Sequence, residues 1–271
     1  MKISCIGDVG IDSYVSMGKT FVGGTSFNIA TQLVSLCAGT NDIFLLSAIG
    51  TDSNAQVIQS HILCTGIDSI LLNIVGSSPV QEIAVDPIGE KKFVKYNDGV
   101  LANWSLDSSQ ENRIKNSDVI IASLFRQIEH VVKQVLQIQR KGITIIDFSD
   151  LSDYEKSSKI VEENINSIDI AFFGLIKQDK RLINLLEKIS AENDKLIVVT
   201  LGENGAIAFK GREKYSCTPP RDTVNVIDTT GAGDCFLASF MYKYLEKEDI
   251  QQCLDFASWE SAKQVAILGA N

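Results

Sequence analysis

Short apolar runs alternate along most of the chain with longer segments in which apolar residues recur every three or four positions. The short runs are rich in β-branched residues and predict five buried strands: Ile43–Ala48, Val119–Ser123, Ile143–Phe148, Ile168–Phe173 and Leu196–Leu201. The longer segments predict six helices: Ser26–Cys37, Asn54–Cys64, Gln127–Lys141, Asp179–Glu192, Gly233–Leu245 and Ile250–Leu268. Strands that alternate with helices favour an α/β fold, in which helices cover both faces of a mostly parallel sheet.

Two parts of the chain break this alternation. Residues 11–17 and 67–96 have the pattern of short strands without intervening helices, and Pro87-Ile88-Gly89-Glu90 has the composition of a hairpin turn. A further hairpin is expected at Ala206–Tyr215. We therefore expect a single domain, residues 1–271, in which strands from about 11–17 and 67–96 form a small β lid over a substrate.

Composition narrows the classes of partner and compartment. The 271-residue chain is 45% hydrophobic and 22% charged, as is usual for globular proteins, and contains no apolar run long enough to span a membrane. Its formal net charge of −9 disfavours nucleic acid and anionic membranes as partners. The six cysteines form no Cys-x-x-Cys pair, and the two histidines lack the spacing of a zinc site. These features favour free thiols in a reducing cytoplasm and no structural zinc.

The run from Asp228 to Asp234, Asp-Thr-Thr-Gly-Ala-Gly-Asp, leads directly into the apolar segment Cys235–Met241. Small residues at the start of a helix leave its unpaired N–H groups and the positive end of its dipole open to an anion. Asp234 adds a carboxylate that can take a proton from an incoming hydroxyl. An anion site beside a base is what phosphoryl transfer to an alcohol requires. The alternative is that Asp234 only caps the helix.

Another candidate site opens the first long helix. Gly23 and Gly24 allow close backbone approach, and Asn28 lies one turn inside the helix, where its amide can reach over the helix start. The alternative is a tight loop in which Thr25 or Ser26 is the N-cap residue.

Two further segments carry polar groups at the ends of predicted strands. The N-terminal segment Met1–Asp8 predicts a first buried strand. Asp8 and Asp12 lie at its end, and carboxylates at this edge of an open α/β sheet face the ligand crevice. Ionised carboxylates accept hydrogen bonds from the hydroxyls of a sugar, although these two are also compatible with solvated loop acids. The loop Gly202-Glu203-Asn204-Gly205, after the strand Leu196–Leu201, is compatible with a nucleotide or phosphate contact.

Taken in this order, these segments resemble the ribokinase/PfkB-type carbohydrate kinases over nearly the whole chain. The most specific likeness is the run from Asp228 to Asp234, supported by the Thr200–Gly205 loop and by Gly23-Gly24 with Asn28. The resemblance implies a ribokinase-like α/β fold with a small β lid, and ATP-dependent phosphorylation of a sugar. It implies ATP and Mg²⁺ as cofactors, and K⁺ as a further candidate.

The resemblance also implies roles for individual residues. Asp234 matches the family's catalytic base, and the anion hole corresponds to the backbone of Gly231, Ala232 and Gly233. The residues that match the sugar-binding positions are Asp8, Asp12, Gly23, Gly24 and Asn28. The nucleotide positions are matched by Thr200, Gly202 and Gly205. Asp228 matches a position for a monovalent cation.

Within the family, the likeness extends to the fructosamine kinases, which implies phosphorylation of a sugar primary hydroxyl such as O6 of fructoselysine. Asp147-Phe148-Ser149-Asp150 contributes to this likeness. One departure concerns the Asn-x-x-Glu motif that many members use to place magnesium and phosphate. The corresponding stretch, residues 170–179, lacks that motif, and solvent, the nucleotide phosphates or Asp179 are the candidates to replace it.

Two other functions remain open at this point. One is a kinase for a different acceptor, such as fructose, ribose, 2-keto-3-deoxygluconate or a nucleoside, with Arg126 either meeting a carboxylate or phosphate of the substrate or serving as a surface cation. The other is a regulator that binds sugar or nucleotide without catalysis, which the missing motif would favour. Exposed apolar residues on the lid would also allow a homodimer to form.

Overall fold

The computed structural model describes residues 1–85, 91–220 and 226–270. Thirteen strands lie in these ranges: β1 (Lys2–Ile6), β2 (Gly10–Tyr14), β3 (Lys19–Gly23), β4 (Asp42–Ile49), β5 (Asp68–Asn73), β6 (Val80–Val85), β7 (Lys91–Asn97), β8 (Val119–Ser123), β9 (Ile143–Asp147), β10 (Ile170–Gly174), β11 (Leu196–Thr200), β12 (Ala206–Lys210) and β13 (Glu213–Cys217). The same ranges contain eight α-helices: α1 (Thr25–Cys37), α2 (Ser53–Thr65), α3 (Ser108–Lys115), α4 (Glu129–Gln137), α5 (Lys159–Asn164), α6 (Lys180–Asn193), α7 (Ala232–Leu245) and α8 (Ile250–Gln264).

A nine-stranded sheet forms the centre of the molecule, in the order β13-β12-β11-β10-β9-β8-β1-β4-β5. The seven strands β11, β10, β9, β8, β1, β4 and β5 are parallel. The β12–β13 hairpin adds two antiparallel strands at the β11 edge. Successive residues of β8 point to opposite faces. Ile121 belongs to the core on the face covered by α1, α2, α7 and α8, and Ile120 to the core on the face covered by α3, α4, α5 and α6. The predicted α/β fold with helices on both faces is confirmed.

A separate four-stranded sheet, β3-β2-β6-β7, forms the lid. β2 pairs antiparallel with β3 and parallel with β6, and β6 pairs antiparallel with β7. The predicted turn at residues 87–90 lies outside the described residues. The assignment of the whole stretch 67–96 to the lid differs from the structure, because β5 pairs parallel with β4 at the edge of the central sheet.

Two predicted helices are shorter in the structure than in the sequence pattern. α4 begins only at Glu129, after a 3-10 turn, and ends at Gln137. α8 ends at Gln264 rather than Leu268, because the carbonyl of Val265 accepts the backbone N–H groups of Ile227 and Asp228. The chain after α8 therefore packs on the glycine-rich turn that precedes α7. None of the helices in the described ranges has the length and apolar character that a bilayer crossing requires.

Candidate active site

Two cavities meet at the N-terminus of α7. The first, of about 280 Å³, lies between the central sheet and the lid and is lined by most of the residues predicted to bind sugar, including Asp8, Asp12, Gly24 and Asn28. The second, of about 830 Å³, is lined by all three residues predicted to bind nucleotide, namely Thr200, Gly202 and Gly205. Thr229 and Gly233 line both cavities, so a short turn of backbone separates them.

Asp234 lies in the first turn of α7 and lines the first cavity. Gly231 is the N-cap residue of this helix, with φ 75°, and provides no side chain to cap it. Asn28 on α1 donates a hydrogen bond from Nδ2 to Oδ2 of Asp234 at 2.7 Å. Asp234, the predicted base, and Asn28, a residue predicted to bind sugar, therefore share one cavity. Of the predicted anion-hole residues, Gly231 and Gly233 line this cavity, whereas Ala232 lines only the second.

Asp12 lines the first cavity from the lid strand β2, and Gly23 on the neighbouring strand β3 makes room for it. A Cβ atom at Gly23 would lie 2.2 Å from Oδ2 of Asp12. Gly23 is not a lining residue, so its contribution to the site is the space that it leaves for this carboxylate.

Asp8 combines an exposure of 8% with a capping role at the start of α1. Its Oδ1 accepts the backbone N–H of Ser26 at 3.2 Å, and the N-cap residue is Gly24, with φ 114°, rather than Thr25 or Ser26. Burial raises the pKa of Asp8, and the hydrogen bonds from backbone N–H groups only partly offset this. A Cβ atom at Gly24 would come within 3.0 Å of Oδ2 of Asp8, so both glycines leave space for carboxylates.

The surroundings of the first cavity are acidic. Asp8, Asp12 and Asp234 line it, and no lysine, arginine or histidine whose side chain is described does so. Burial raises the pKa of Asp147 to about 6, with Asp8 adding to the rise and the N–H of Ser149 opposing it. Tyr96 also lines the cavity, and its hydroxyl is buried without a hydrogen-bond partner among the described residues.

Arg126 does not line either cavity. Its guanidinium donates to the backbone carbonyl of Asp153 and lies 5.4 Å from the ring centroid of Tyr154. The structure therefore favours the surface interpretation of Arg126 over a contact with a substrate carboxylate or phosphate.

Asp228 lines neither cavity and is 2% exposed. Its Oδ1 accepts the N–H of Thr230 at 2.8 Å and the hydroxyl of Thr230 at 2.6 Å. Its Oδ2 accepts the hydroxyl of Tyr14 at 2.6 Å and the N–H of Gly269 at 2.9 Å. A carboxylate has about four lone-pair directions for donors or cations, and here four donors use them. The arrangement does not fit the predicted binding of a monovalent cation by this carboxylate.

Asp179 does not replace the missing Asn-x-x-Glu motif. Both of its carboxylate oxygens accept hydrogen bonds from Nζ of Lys156 at 2.9 Å, and this contact lowers its pKa. It lines neither cavity. No group of three or more histidine, cysteine, aspartate or glutamate side chains suited to a metal occurs among the described residues. Magnesium sites at phosphates often use only one or two carboxylates together with the phosphates and waters, and Glu203 is a carboxylate of the second cavity.

Several residues of the site lacked a signal in the sequence. Pro79, Gln81, Phe93 and Tyr96 line the first cavity because β6 and β7 join the lid beside β2. Their position depends on strand pairing across about 70 residues, which a local pattern does not contain. Thr229 and Thr230, in contrast, belong to the run from Asp228 to Asp234. Roles were predicted from the sequence for the other five residues of this run but not for these two threonines.

Comparisons with known proteins agree with this geometry. The model of the pfkB family carbohydrate kinases matches residues 2–271. The chain is 26% identical over 268 residues to fructoselysine 6-kinase of Escherichia coli strain K12, covering 99% of this chain and 98% of that protein. It is 26% identical over 244 residues to an ATP-dependent ribose-1-phosphate kinase of Halopiger xanaduensis, covering 87% and 77%. The structure of ribokinase from Thermotoga maritima superposes with a TM-score of 0.79 at 19% identity, covering 100% of this chain and 94% of that one.

Proposed function

Because the chain belongs to the pfkB family of carbohydrate kinases and is an ATP-dependent sugar kinase, we propose that it phosphorylates the primary hydroxyl of a ketose-like sugar, with O6 of fructoselysine as the preferred acceptor. One observation carries the catalytic part of the proposal. The carboxylate of Asp234 lines the first cavity, one residue after Gly233, which lines both cavities, and the amide of Asn28 holds it at 2.7 Å.

Asp234 is the proposed general base. A sugar in the first cavity presents a hydroxyl to this carboxylate, and removal of the proton as the oxygen attacks phosphorus contributes about 10²- to 10⁴-fold in rate. The hydrogen bond from Asn28 Nδ2 orients the carboxylate toward the cavity. Helix α1 therefore contributes to catalysis through α7, which it packs against.

The start of α7 is the proposed site of the transferring phosphate. The backbone of Gly231, Ala232 and Gly233 forms a helix N-terminus, where the N–H groups and the dipole favour negative charge. The N–H of Ala232 also donates to the carbonyl of Thr229 at 3.4 Å. Each well-aimed donor of this kind contributes roughly 10²- to 10³-fold when charge develops in the transition state. Thr229 and Gly233 line both cavities, which supports transfer of phosphate across this turn.

The second cavity is the proposed nucleotide site. Thr200, Gly202 and Gly205 line it at the end of β11, and Phe236 and Val265 give it apolar surface. Mg²⁺ bound with ATP would neutralise the charge on the phosphates. Among the described residues that line this cavity, Glu203 is the carboxylate that could hold such an ion, directly or through water.

The charge of the first cavity supports a fructosamine as the acceptor. Fructoselysine carries an amine on the carbon next to the ketose carbonyl carbon, and this amine is protonated at neutral pH. Asp8 and Asp12 are acidic groups at the cavity, and a bound ammonium would favour their ionised forms, whereas no described basic side chain lines the cavity to meet a phosphate or a carboxylate. Fructoselysine also carries the α-carboxylate of its lysine, but its two ammonium groups give it a net positive charge at neutral pH. The same pattern therefore disfavours ribose 1-phosphate and 2-keto-3-deoxygluconate, which are net anions, relative to fructoselysine.

A substrate panel tests the acceptor. Sugar-dependent formation of ADP is measured with fructoselysine, fructose, ribose, 2-keto-3-deoxygluconate and adenosine. We expect the highest kcat/KM with fructoselysine and the lowest with 2-keto-3-deoxygluconate. A higher kcat/KM for an anionic sugar or a nucleoside would contradict the fructosamine proposal, and no ADP above background with any of them would favour a binding protein without catalysis.

A substitution at Asp234 tests the base. We expect Asp234→Asn to lower kcat by about 10²- to 10⁴-fold while thermal stability and ATP binding change little, because asparagine keeps the shape and accepts the hydrogen bond from Asn28. Asp255→Asn is the matched control, since Asp255 is an exposed acid on α8, the helix packed against α7. Undiminished turnover in Asp234→Asn would exclude Asp234 as the base.

We also propose that two copies of the chain pair through their lids. The lid exposes several large apolar side chains, which are Val15, Met17, Phe93 and Val94. β3 and β7 are edge strands of the described lid sheet, and an edge strand with exposed apolar residues is suited to pairing with a second copy.

A further inference from the structure

The buried carboxylate of Asp228 joins three parts of the chain. Its four hydrogen bonds come from Tyr14 on the lid strand β2, from Thr230 in the turn before α7, and from Gly269 in the segment after α8. Tyr14 is fully buried, and its hydroxyl also lies 3.0 Å from Oγ1 of Thr230. The carboxylate therefore determines where Thr230 stands, one residue before the glycine that begins the phosphate turn.

These four donors, none of which is charged, stabilise the ionised carboxylate. Burial alone would raise the pKa of Asp228, but the hydrogen bonds from Thr230, Tyr14 and Gly269 outweigh it and lower the pKa below its ordinary value. A cation such as K⁺ is bound by oxygen atoms that replace its hydration shell. To reach an oxygen of Asp228 it would have to displace one of the four donors.

The position of Tyr14 is fixed by packing. Its ring makes an edge-to-face contact with Phe21 of β3, with the centroids 5.5 Å apart. The Phe21 ring also lies near Gly269, since a Cβ atom at that glycine would be 3.7 Å from Phe21 Cδ1. The hydroxyl of Tyr14 is therefore a rigid donor rather than one that leaves readily when a cation arrives.

We propose that the Tyr14 hydroxyl takes the place of a monovalent cation at this turn, so that phosphoryl transfer by this kinase does not require K⁺. The inference rests on the proposed role of the turn as the phosphate site. Tyr14 touches neither cavity and acts through Asp228 and Thr230, so it is a positioning residue.

The first experiment compares the wild-type protein in KCl, NaCl and choline chloride at equal ionic strength. We expect kcat with its best sugar to agree within about twofold in the three salts, and the melting temperature to agree within about 1 °C, because a cation that bound the folded state would raise it. Activation of about fivefold or more by K⁺ over choline, or a saturable rise in melting temperature specific to K⁺, would overturn the proposal. The melting comparison decides it even if no sugar of the panel is phosphorylated, which would instead refute the proposed function.

The second experiment vacates the place that the Tyr14 hydroxyl occupies beside Asp228. Tyr14→Phe removes the hydroxyl and leaves one lone-pair direction of Asp228 Oδ2 without a donor. We expect kcat in choline chloride to fall about tenfold, which is the order of effect for one lost hydrogen bond to a charged group. The KM for sugar should change less than about threefold, and K⁺ should restore part of kcat and raise the melting temperature.

Tyr154→Phe is the matched control, because Tyr154 donates its hydroxyl to a carboxylate of Glu129 and neither residue lines a cavity. It should keep wild-type kcat and show no response to K⁺. Full kcat of Tyr14→Phe in choline would overturn the positioning role. A loss of kcat that K⁺ does not reverse would overturn the replacement of a cation and leave only a structural role. If Tyr14→Phe does not fold, the wild-type salt comparison decides the proposal by itself.

Discussion

Gly23 and Gly24 contribute to the site through the side chains that they lack. A Cβ at Gly23 would overlap the carboxylate of Asp12, and one at Gly24 would crowd Asp8. The pair of glycines was recognisable in the sequence as a place of close approach. The group that approaches Gly23 was not recognisable, because Asp12 contacts this glycine only through the antiparallel pairing of β2 with β3.

Substitution of Gly23 tests how strongly the activity depends on the space beside the Asp12 carboxylate. We expect Gly23→Ala to lower kcat/KM for the sugar by about 10²-fold, because the Asp12 carboxylate must move by the order of 1 Å. The KM for ATP should stay near the wild-type value. Gly174→Ala is the control, since a Cβ there has its nearest neighbour at an ordinary 3.7 Å. An unchanged kcat/KM in Gly23→Ala would mean that Asp12 does not contact the sugar.

Asp147 provides a test that depends on pH. Its pKa of about 6 in the folded protein lies above the ordinary value of 3.8, so folding disfavours its ionised form. Stability from this group is fully present below pH 4 and is lost as the pH rises through about 6. We expect Asp147→Asn to raise the free energy of unfolding at pH 8 by about 1–2 kcal/mol relative to wild type, allowing for partial exposure, and to have no such advantage near pH 4.

Denaturant unfolding at pH 4, 6 and 8 measures this difference. Asp150→Asn, at an exposed neighbour in the same loop, controls for the amide substitution itself. Parallel stability curves of Asp147→Asn and wild type across this range would show that the carboxyl of Asp147 does not titrate near pH 6.

At the scale of elements, the sequence was informative where burial gives an element a clear apolar pattern and uninformative where the element is only partly buried. The central strands β8 and β11 are fully or almost fully buried, and both were predicted to within one residue. β5, at the sheet edge, has three half-buried and three exposed positions, so nothing in its pattern shows which sheet it joins. The end of α8 was missed because contacts with residues 227–228 stop the helix, although apolar residues continue beyond it.

The same distinction applies to the site. Asp234, Gly231 and Gly233 were predictable because the turn and the helix start are adjacent in sequence. The bond from Asn28 to Asp234 joins residues 206 positions apart, and the bond from Tyr14 to Asp228 joins residues 214 apart. The resemblance to a family predicted that the first pair share a site. No pattern in the sequence predicted the second, which depends on how the lid sits on the central sheet.

For the whole molecule, the exposed apolar side chains of the lid predict a dimer. We expect size-exclusion chromatography with light scattering to give twice the 29.6 kDa of one chain. Val94→Asp should shift the protein toward monomer, because it places a charge among the exposed residues of β7. Val57→Asp is the control, at a similarly exposed valine on α2. A wild-type monomer at all concentrations would contradict pairing through the lid.

The thin partition formed by Thr229 and Gly233 has a consequence for inhibitor chemistry. A single compound in which a sugar is joined through its acceptor oxygen to an adenosine polyphosphate would occupy both cavities at once. Once one half is bound, the other is held near its own cavity at a high effective concentration, so the joined molecule gains affinity over either half alone. Its linker would cross the start of α7, and the sugar half would confer selectivity among kinases that share the nucleotide.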